Sequence, residues 1–276
     1  MAAFPLDAVL QKLSEIAPLR LAESWDNVGL LLGDRRRSID CVMTCLTITP
    51  AVVDEAIQRR VGLIVAHHPM PFKPLTRITS DSTTGKMLLE LIAGGIAVYS
   101  AHTAFDSAAG GINAMWAELL GLRNVKPLDS IPASPDESIG VGRYGVLAEP
   151  TTDDALAKRV AELVNAPRCR VVKSFGLHTS LITKIAIACG SGGGLLAAAK
   201  RRGCDAMVTG EATFHTCLEA QASGISLLLV GHFHSERFSM VRLAETLGKE
   251  LADLDVFASQ SDVDPLKDGF SELPKH

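Results

Sequence analysis

The sequence predicts an α/β fold whose strands are mainly parallel. Short apolar runs rich in β-branched residues alternate with amphipathic segments of helical period along most of the chain. Turns that contain Gly or Pro separate these segments. Parallel strands need helical crossovers of this kind, which cover the faces of the sheet. The length of 276 residues is sufficient for one large domain or two modest ones.

The first half of the chain opens with a helix predicted at 6–17, where apolar residues recur at helical spacing after Pro5. A β-rich segment occupies 40–48. Thr49 and Pro50 then indicate a helix start, with Thr49 as N-cap and Pro50 at the first helical position. The following elements are expected next: the end of that helix near Gly62, a strand at 63–66, a helix at about 84–93, a strand at 96–101 and a helix at about 110–120.

Residues 127–150 are rich in Pro, Ser, Asp and Gly, which indicates a domain boundary. The alternation then resumes with a helix at 152–164, strands near 169–173 and at 184–189, a helix at 192–202 after a Gly-rich turn, a strand at 206–209, a helix at 213–222, a strand at 226–230, a helix at 235–251 and a strand near 255–258. We expect one α/β domain to comprise residues 1–127 together with about 240–276, and a second to comprise residues 128–239.

Composition excludes several classes of function. A net charge of −4 gives no electrostatic case for general nucleic-acid binding. The N-terminal residues lack the basic region of a secretory signal, and the apolar runs are too short to span a bilayer. The six cysteines form no CxxC pair, and we interpret them as buried, reduced thiols. These features favour a cytoplasmic protein without a membrane partner.

Residue types that commonly bind metals follow three of the predicted strands. His67 and His68 follow the strand at 63–66, Asp106 follows the strand at 96–101, and His232 and Glu236 follow the strand at 226–230. In open α/β sheets, ligands collect beyond the carboxyl ends of strands. A single His is more often structural than ligating, but three such segments together favour a metal site.

The spacing of these residues constrains how they share the ions. Adjacent residues of a strand point to opposite faces, so His67 and His68 are expected to bind different ions. His232 and Glu236 lie on one helix face if the helix begins early. We favour the alternative in which His232 lies in the loop and Ser235 caps the helix, which turns Glu236 back toward the site.

Three imidazoles and two carboxylates suit Zn, Mn or Fe(II) better than Mg or Ca, which prefer oxygen ligands. We therefore predict two divalent ions per subunit, and Glu236 is the candidate bridge. His102 is expected to orient a ligand, although it could also be a sixth ligand or a hydrogen-bonded core residue.

Glu211 and His215 could line the same pocket or cap and orient a helix. The Gly-rich run at 190–194 is interpreted as a tight turn rather than a phosphate site.

Five short stretches follow one another along the chain: Trp25-Asp26-Asn27-Val28-Gly29-Leu30, His67-His68-Pro69, His102-Thr103 with Asp106, Thr209-Gly210-Glu211 with His215, and Gly231-His232 with Ser235-Glu236. In this order they resemble the Nif-three-like dinuclear-metal proteins, also called GTP cyclohydrolase I type 2 homologs. Together they span nearly the whole chain. The first stretch could equally be a packed turn, whereas the resemblance places it near the cleft.

The resemblance implies two α/β domains with mixed, mainly parallel sheets and a metal pair in the cleft between them. It implies the same five ligands that the spacing predicts. It also implies a toroidal homohexamer, a trimer of dimers, whose sites face an internal cavity. The chain departs from many relatives at Thr47, where they carry Asp, and His234 could add a ligand.

Two classes of function are compatible with such a centre. The first is a metal-dependent hydrolase that acts on a small, nucleotide-like substrate, and the family label points to opening of the GTP ring. The second is a metal-handling or regulatory hexameric assembly without catalysis, which stays open because no clear substrate-recognition motif is present. A third interpretation is a structural α/β protein whose histidines are incidental.

Overall fold

The computed structural model describes residues 4–130, 136–174 and 181–267. Its helices lie at Leu6–Ile16 (α1), Pro50–Gln58 (α2), Thr83–Gly94 (α3), His102–Ser107 (α4), Ile112–Leu119 (α5), Asp153–Leu163 (α6), Leu196–Arg201 (α7), Phe214–Ser223 (α8) and His232–Glu250 (α9). Short 3-10 turns lie at Leu19–Leu21 and Gly192–Leu195. No helix within the described ranges is both long and apolar enough to cross a membrane.

The strands are short, as expected for an α/β protein. They lie at Phe4–Pro5 (β1), Gly29–Leu32 (β2), Ser38–Ile39 (β3), Cys41–Cys45 (β4), Leu63–Ala66 (β5), Ala97–Ser100 (β6), Arg123–Lys126 (β7), Asp129–Ser130 (β8), Gly140–Val141 (β9), Arg143–Thr151 (β10), Arg170–Val172 (β11), Ile182–Ala188 (β12), Ala206–Thr209 (β13), Ser226–Leu229 (β14) and Asp255–Ala258 (β15). β1 pairs with β3 and β8 with β9 in two small ribbons.

The first large sheet has five strands in the order β15-β4-β5-β6-β2. β15, β4, β5 and β6 are parallel, and β2 pairs antiparallel with β6 at the edge. α2 and α3 connect its parallel strands. The start of α2 is as predicted, because Pro50 is its first residue and the Thr49 side chain accepts a hydrogen bond from the Val52 N–H.

The second large sheet has six strands in the order β11-β14-β13-β12-β10-β7. β12, β13 and β14 are parallel, whereas β10 is antiparallel to β12 and β7, and β11 is antiparallel to β14. The fold is therefore α/β with mixed sheets, which confirms the predicted class.

The main hydrophobic core lies between the two sheets. Leu63 and Val65 of β5 join a core that also contains residues of α1, α5, α9 and the facing side of the second sheet. Ile64 and Ala66 point the other way, into a separate core beneath α2 and α3. A third core lies between the second sheet and helices α7 and α8. Burial on both faces explains why these strands are continuous apolar runs.

The structure departs from the predicted elements at β10, which lies largely within the Pro- and Gly-rich stretch 127–150. Its first residue, Arg143, is buried where a strand pattern would place an apolar side chain. The Arg143 guanidinium donates hydrogen bonds of 2.6–2.7 Å to the carbonyl groups of Gly140, Gly142 and Ala108. A charged residue satisfied in this way gives no strand signal in the sequence.

The domain limits drawn from the sequence stay a prediction. The first sheet does recruit β15 from near the C-terminus, and α9, which follows β14 of the second sheet, packs on β4 and β15 of the first. Four parts of the predicted domains, 1–3, 131–135, 175–180 and 268–276, lie outside the described residues.

Candidate metal centre

The predicted ligands all follow parallel strands. His67 and His68 follow β5, and Asp106 lies in α4 directly after β6. His232 and Glu236 lie at the start of α9, after β14 of the second sheet. The carboxyl ends of strands from both sheets therefore supply one cluster of side chains, as α/β folds commonly do.

Glu236 lies at the middle of this cluster. Its Oε2 atom is 3.0 Å from His232 Nε2 and 3.2 Å from His68 Nε2, and those two nitrogens are 3.3 Å apart. One ligand atom from each of these three residues falls within 4.8 Å of the others, so the group can hold a metal ion.

His67 lies on the other side of the same carboxylate. Its Nε2 atom is 3.7 Å from Glu236 Oε1 and 3.7 Å from Asp106 Oδ1, distances too long for hydrogen bonds. The side chain is 1% exposed, and neither ring nitrogen has a hydrogen-bond partner within the described residues. Buried polar atoms are normally paired, so the unpaired ring nitrogens of His67 fit a position at which one of them binds a metal ion.

Thr47 and His68 form a contact that the sequence did not reveal. The Thr47 hydroxyl lies 2.6 Å from His68 Nδ1 and leaves Nε2 directed to Glu236. A hydroxyl therefore orients the His68 ring here, as partners of metal-binding imidazoles commonly do.

His102 is fixed by the buried carboxylate of Asp26. Its Nδ1 atom lies 2.8 Å from Asp26 Oδ1, and Asp26 Oδ2 accepts hydrogen bonds from the Thr103 N–H and hydroxyl. Burial opposes ionisation of Asp26, but the hydrogen bonds of Thr103 and His102 outweigh it and lower its pKa. The His102 Nε2 atom is thus left for a ligand, and His67, His68 and His102 form a second group that can hold a metal ion.

The start of α9 corrects one sequence prediction. The helix begins at His232, and Gly231, with φ +95°, occupies its N-cap position. Ser235 is therefore not the cap but lies inside the helix, where its hydroxyl donates to the His232 carbonyl. Because the helix starts early, His232 and Glu236 lie on one face, four residues apart. A helix start at Gly-His carries no Ser or Thr cap, which is why the pattern placed it three residues too late.

Glycines of the second sheet allow α9 to approach closely. A Cβ at Gly190 would lie 2.2 Å from Glu236 Oε1, and φ there is +60°. A Cβ at Gly210 would lie 2.6 Å from both the Gly190 carbonyl oxygen and Ser235 Oγ. The Gly190 N–H donates to Ser235 Oγ at 2.9 Å. This part of the Gly-rich run thus serves a tight turn that makes room for Glu236.

Glu211 and His215 take different positions. Glu211 Oε1 lies 2.9 Å from His232 Nδ1 and accepts a 2.6 Å hydrogen bond from the Ser191 hydroxyl. Glu211 thus orients the His232 ring through Nδ1 and leaves Nε2 directed to Glu236. His215 lies on the exposed face of α8 and contacts the Phe214 ring, so the structure does not bring it into the cluster. His234 also points elsewhere, with Nε2 3.4 Å from Asp264 Oδ2.

Asp106 is held by two residues that sequence reasoning did not assign to the site. The Cys189 thiol donates to Asp106 Oδ1 over 3.3 Å. Asn113 donates from Nδ2 to the Asp106 carbonyl and accepts the Cys189 N–H at its Oδ1 atom. These contacts join α4, α5 and Cys189 after β12. Cys189 is 83 positions from Asp106 and 76 from Asn113, and no local pattern links residues so far apart in the chain.

Electrostatics within the cluster favour ionised Glu236. Burial opposes its ionisation, but His67, His232 and His68 hold its pKa well below the usual range. Burial raises the pKa of Asp106 to about 6. The hydrogen bond to Glu236 is the main cause that raises the pKa of His232 to about 9, and Glu211 adds to it. The pKa of His68 is lowered, chiefly by burial.

The fold and the cluster define an α/β protein with mixed sheets and His/Glu groups that can bind a metal ion. The chain matches the Duf34/NIF3 (NGG1p interacting factor 3) family over residues 5–265, and it belongs to this family. The resemblance noted from the motifs is therefore confirmed.

Relatives from distant organisms support the assignment. A GTP cyclohydrolase 1 type 2 homolog of Clostridium perfringens is 33% identical, over 95% of this chain and 98% of the relative. Protein NIF3 homolog of Schizosaccharomyces pombe is 37% identical, over 90% and 92%. The crystal structure of Staphylococcus aureus protein SA1388 superposes with a TM-score of 0.85 at 27% identity, over 96% of this chain and 99% of that one.

Proposed function

We propose that the cluster holds two divalent metal ions and that the protein is a metal-dependent hydrolase of a nucleotide-like substrate. The observation that carries this proposal is the position of the Glu236 carboxylate. Its Oε2 atom lies beside His68 and His232, and its Oε1 atom lies 3.7 Å from His67 Nε2, which is equally far from Asp106. One bridging carboxylate would thus serve two separate donor sets.

The donor chemistry favours first-row ions. Each proposed set combines imidazole nitrogens with carboxylate oxygens, which suits Zn, Fe(II) or Mn rather than the all-oxygen shells of Mg or Ca. A pair of such ions supplies an activated water molecule at neutral pH and neutralises charge that develops on the substrate.

The protein's own residues would bind and orient in this scheme. Thr47, Glu211 and Asp26 each contact one nitrogen of an imidazole and leave the other directed to the centre. Such fixed rings cost little reorganisation when the ligand binds. Cys189 contacts one oxygen of the Asp106 carboxylate, and Asn113 fixes the Asp106 main chain through its carbonyl.

The substrate class rests on the names of relatives and on the cleft. Several relatives carry the name GTP cyclohydrolase 1 type 2 homolog. A cleft of about 560 Å³ opens over the cluster and is lined by His68, His102, Asp106, His232 and Glu236. Clefts of several hundred Å³ are typical of sites for small molecules.

We also propose a cytoplasmic homohexamer, a trimer of dimers in a toroid whose cavity the centres face. Family membership supports the assembly, and six free thiols support a reducing compartment. Light scattering on the purified protein should give six times the 29.3 kDa chain mass. A monomeric or dimeric mass would contradict the hexamer.

Metal analysis of protein purified without added metal or chelator tests the centre. We expect two ions of Zn, Fe or Mn per subunit. Asp106→Asn should lower this number, whereas Asp253→Asn, an exposed carboxylate elsewhere, should leave it unchanged. Equal metal content in both variants would contradict the proposed ligand set.

Turnover tests the enzymatic part. Protein loaded with Mn, Fe(II) or Zn is incubated with GTP and a panel of nucleotides, and products are separated by chromatography. We expect metal-dependent hydrolysis that Asp106→Asn abolishes. Full occupancy with rapid metal exchange and no turnover on any nucleotide would instead favour the metal-handling alternative.

A further inference from the structure

Two large aromatic side chains are exposed at the edge of the cleft. Trp25 is 62% exposed and Phe72 is 52% exposed, and their ring centroids lie 6.2 Å apart. Both line the same cleft as His68, His102, His232 and Glu236. Paired exposed aromatic rings leave apolar surface in water, so their position beside a candidate centre calls for a ligand.

The backbone that carries these rings is tied down at several points. Asp26, next to Trp25, binds His102 and Thr103 through both carboxylate oxygens. Asn27 donates from Nδ2 to the Pro71 carbonyl at 2.8 Å, which links the Trp25 segment to the Phe72 segment. The Glu23 N–H donates to the Thr103 hydroxyl at 3.0 Å. The two rings therefore project from a fixed frame, and binding to them would require little ordering of the chain.

The frame also sets the distance from the rings to the centre. Trp25 and Phe72 both meet the His102 ring edge-on, at centroid distances of 6.0 and 6.1 Å. The His102 ring in turn lies 5.1 Å from His67 and 5.7 Å from His68. A flat molecule bound to Trp25 and Phe72 would thus be separated from the proposed metal ligands His67 and His68 only by the His102 ring.

Several small residues also line the cleft. These are Ser191, Gly192 and Gly194, which line it together with Val141 and Leu195, and a Cβ added at Gly194 would meet nothing within 4 Å. The cleft therefore combines flat aromatic surface with open space beside glycine backbone and the Ser191 hydroxyl. A substrate with a planar ring and a polar remainder matches this distribution.

We propose that Trp25 and Phe72 form the subsite that stacks the planar heteroaromatic ring of the substrate. This inference rests on the proposed function and names the part of the molecule that the protein recognises. A purine or pteridine-like ring fits the class, since aromatic side chains stack on such rings regardless of their substituents.

Fluorescence and calorimetry on the full-length, metal-loaded protein test the subsite, with GTP and inorganic tripolyphosphate as probes. Trp116 is fully buried and donates to the Ser235 carbonyl, so the part of the emission change that is absent in Trp25→Ala reports Trp25. GTP should quench the emission and tripolyphosphate should not. Trp25→Ala should weaken GTP binding about 5- to 150-fold, and Phe72→Ala somewhat less.

Matched variants separate stacking from other causes. Trp25→Phe should keep most of the GTP affinity, and Phe214→Ala, at a 73% exposed ring outside the cleft, should change nothing. Tripolyphosphate affinity, metal content, melting temperature and oligomeric mass should stay the same in Trp25→Ala.

The subsite would be overturned by unchanged GTP affinity in both alanine variants, by an equal loss of affinity for GTP and tripolyphosphate, or by the absence of binding for every nucleotide tested. A changed oligomeric mass would also overturn it, because the pair would then be an interface between copies.

The subsite and the hydrolase can fail separately. Ring-dependent binding without turnover would support the subsite and contradict only the hydrolase. Turnover that Trp25→Ala leaves unchanged would support the hydrolase and contradict the subsite.

Discussion

The two large sheets contribute to the centre in different ways. The first sheet delivers ligands close to its strand ends, because His67 and His68 follow β5 and Asp106 follows β6 within one short helix. The second sheet places Gly190 and Gly210 after β12 and β13, and its ligands come from α9. One edge therefore supplies donors, and the other supplies the space into which a helix brings Glu236. Removing a donor and filling the space should both weaken metal binding, but filling the space should also lower the free energy of unfolding.

The largest effect is expected when the shared donor is removed. Glu236→Gln keeps the shape of the side chain but removes the charge that contacts His67, His68 and His232. We expect metal affinity to fall more than about 100-fold, beyond the usual loss for a residue that only orients a ligand. Glu245→Gln, an exposed carboxylate on the same helix, is the control. Competition with a chelator measures the affinity, and an equal small change in both variants would contradict the shared role.

Filling the space should be nearly as damaging. Gly190→Ala places a Cβ 2.2 Å from Glu236 Oε1 and also strains a backbone at φ +60°. The control is Gly203→Ala, which has φ +67° and no atom within 4 Å of the added Cβ. Both variants should lose about 1–2 kcal/mol of unfolding free energy from backbone strain, but only Gly190→Ala should lose about 100-fold in metal affinity.

Denaturant unfolding and chelator competition on the two glycine variants make this comparison direct. If Gly203→Ala weakens metal binding as much as Gly190→Ala, the effect comes from strain and not from the crowding of Glu236.

A smaller effect is expected from the residue that orients a ring of the first sheet. Thr47→Val removes the hydroxyl 2.6 Å from His68 Nδ1 and keeps the side-chain shape. Metal affinity should fall about 10-fold. Thr49→Val, at the N-cap of α2, is a control that alters stability through the Val52 N–H without contacting the centre. Loss of affinity in Thr49→Val alone would contradict the orienting role.

The last effect is graded and is read per pH unit on the unchanged protein: the pH dependence of metal affinity. The pKa of His232 is raised to about 9, chiefly by its hydrogen bond to Glu236, so the ring carries a proton at pH 7 that a metal must displace. Affinity should therefore rise with pH up to about 9, by no more than about tenfold per pH unit for this one proton. Calorimetry in buffers of different ionisation enthalpy measures the proton released.

Glu211→Gln sharpens the pH prediction. Glu211 contributes to the raised pKa of His232. The variant should therefore release fewer protons when metal binds, and its metal affinity should change less between pH 7 and 9. An unchanged profile would assign the released proton to another group.

Much of the framework was determined by local sequence. The strands at 63–66 and 206–209 lie where the pattern predicts them, because strands buried on both faces are continuous apolar runs between helices. The edge strand at 255–258 also lies where it is predicted, although it is only partly buried. The Thr49-Pro50 helix start is equally local, since a cap needs only its own turn. The candidate ligands were also identifiable, because each follows a recognisable strand.

Only the tertiary structure decided how these pieces meet. Four contacts join residues 46 to 83 positions apart in the chain: Asp26 with His102, Cys189 with Asp106, Cys189 with Asn113, and Gly190 with Glu236. Periodicity reports burial along one segment and carries no information about which distant residue fills the space next to it. The identity of the supporting contacts was therefore fixed by packing between the two sheets, whereas the candidate donors could already be named from the sequence.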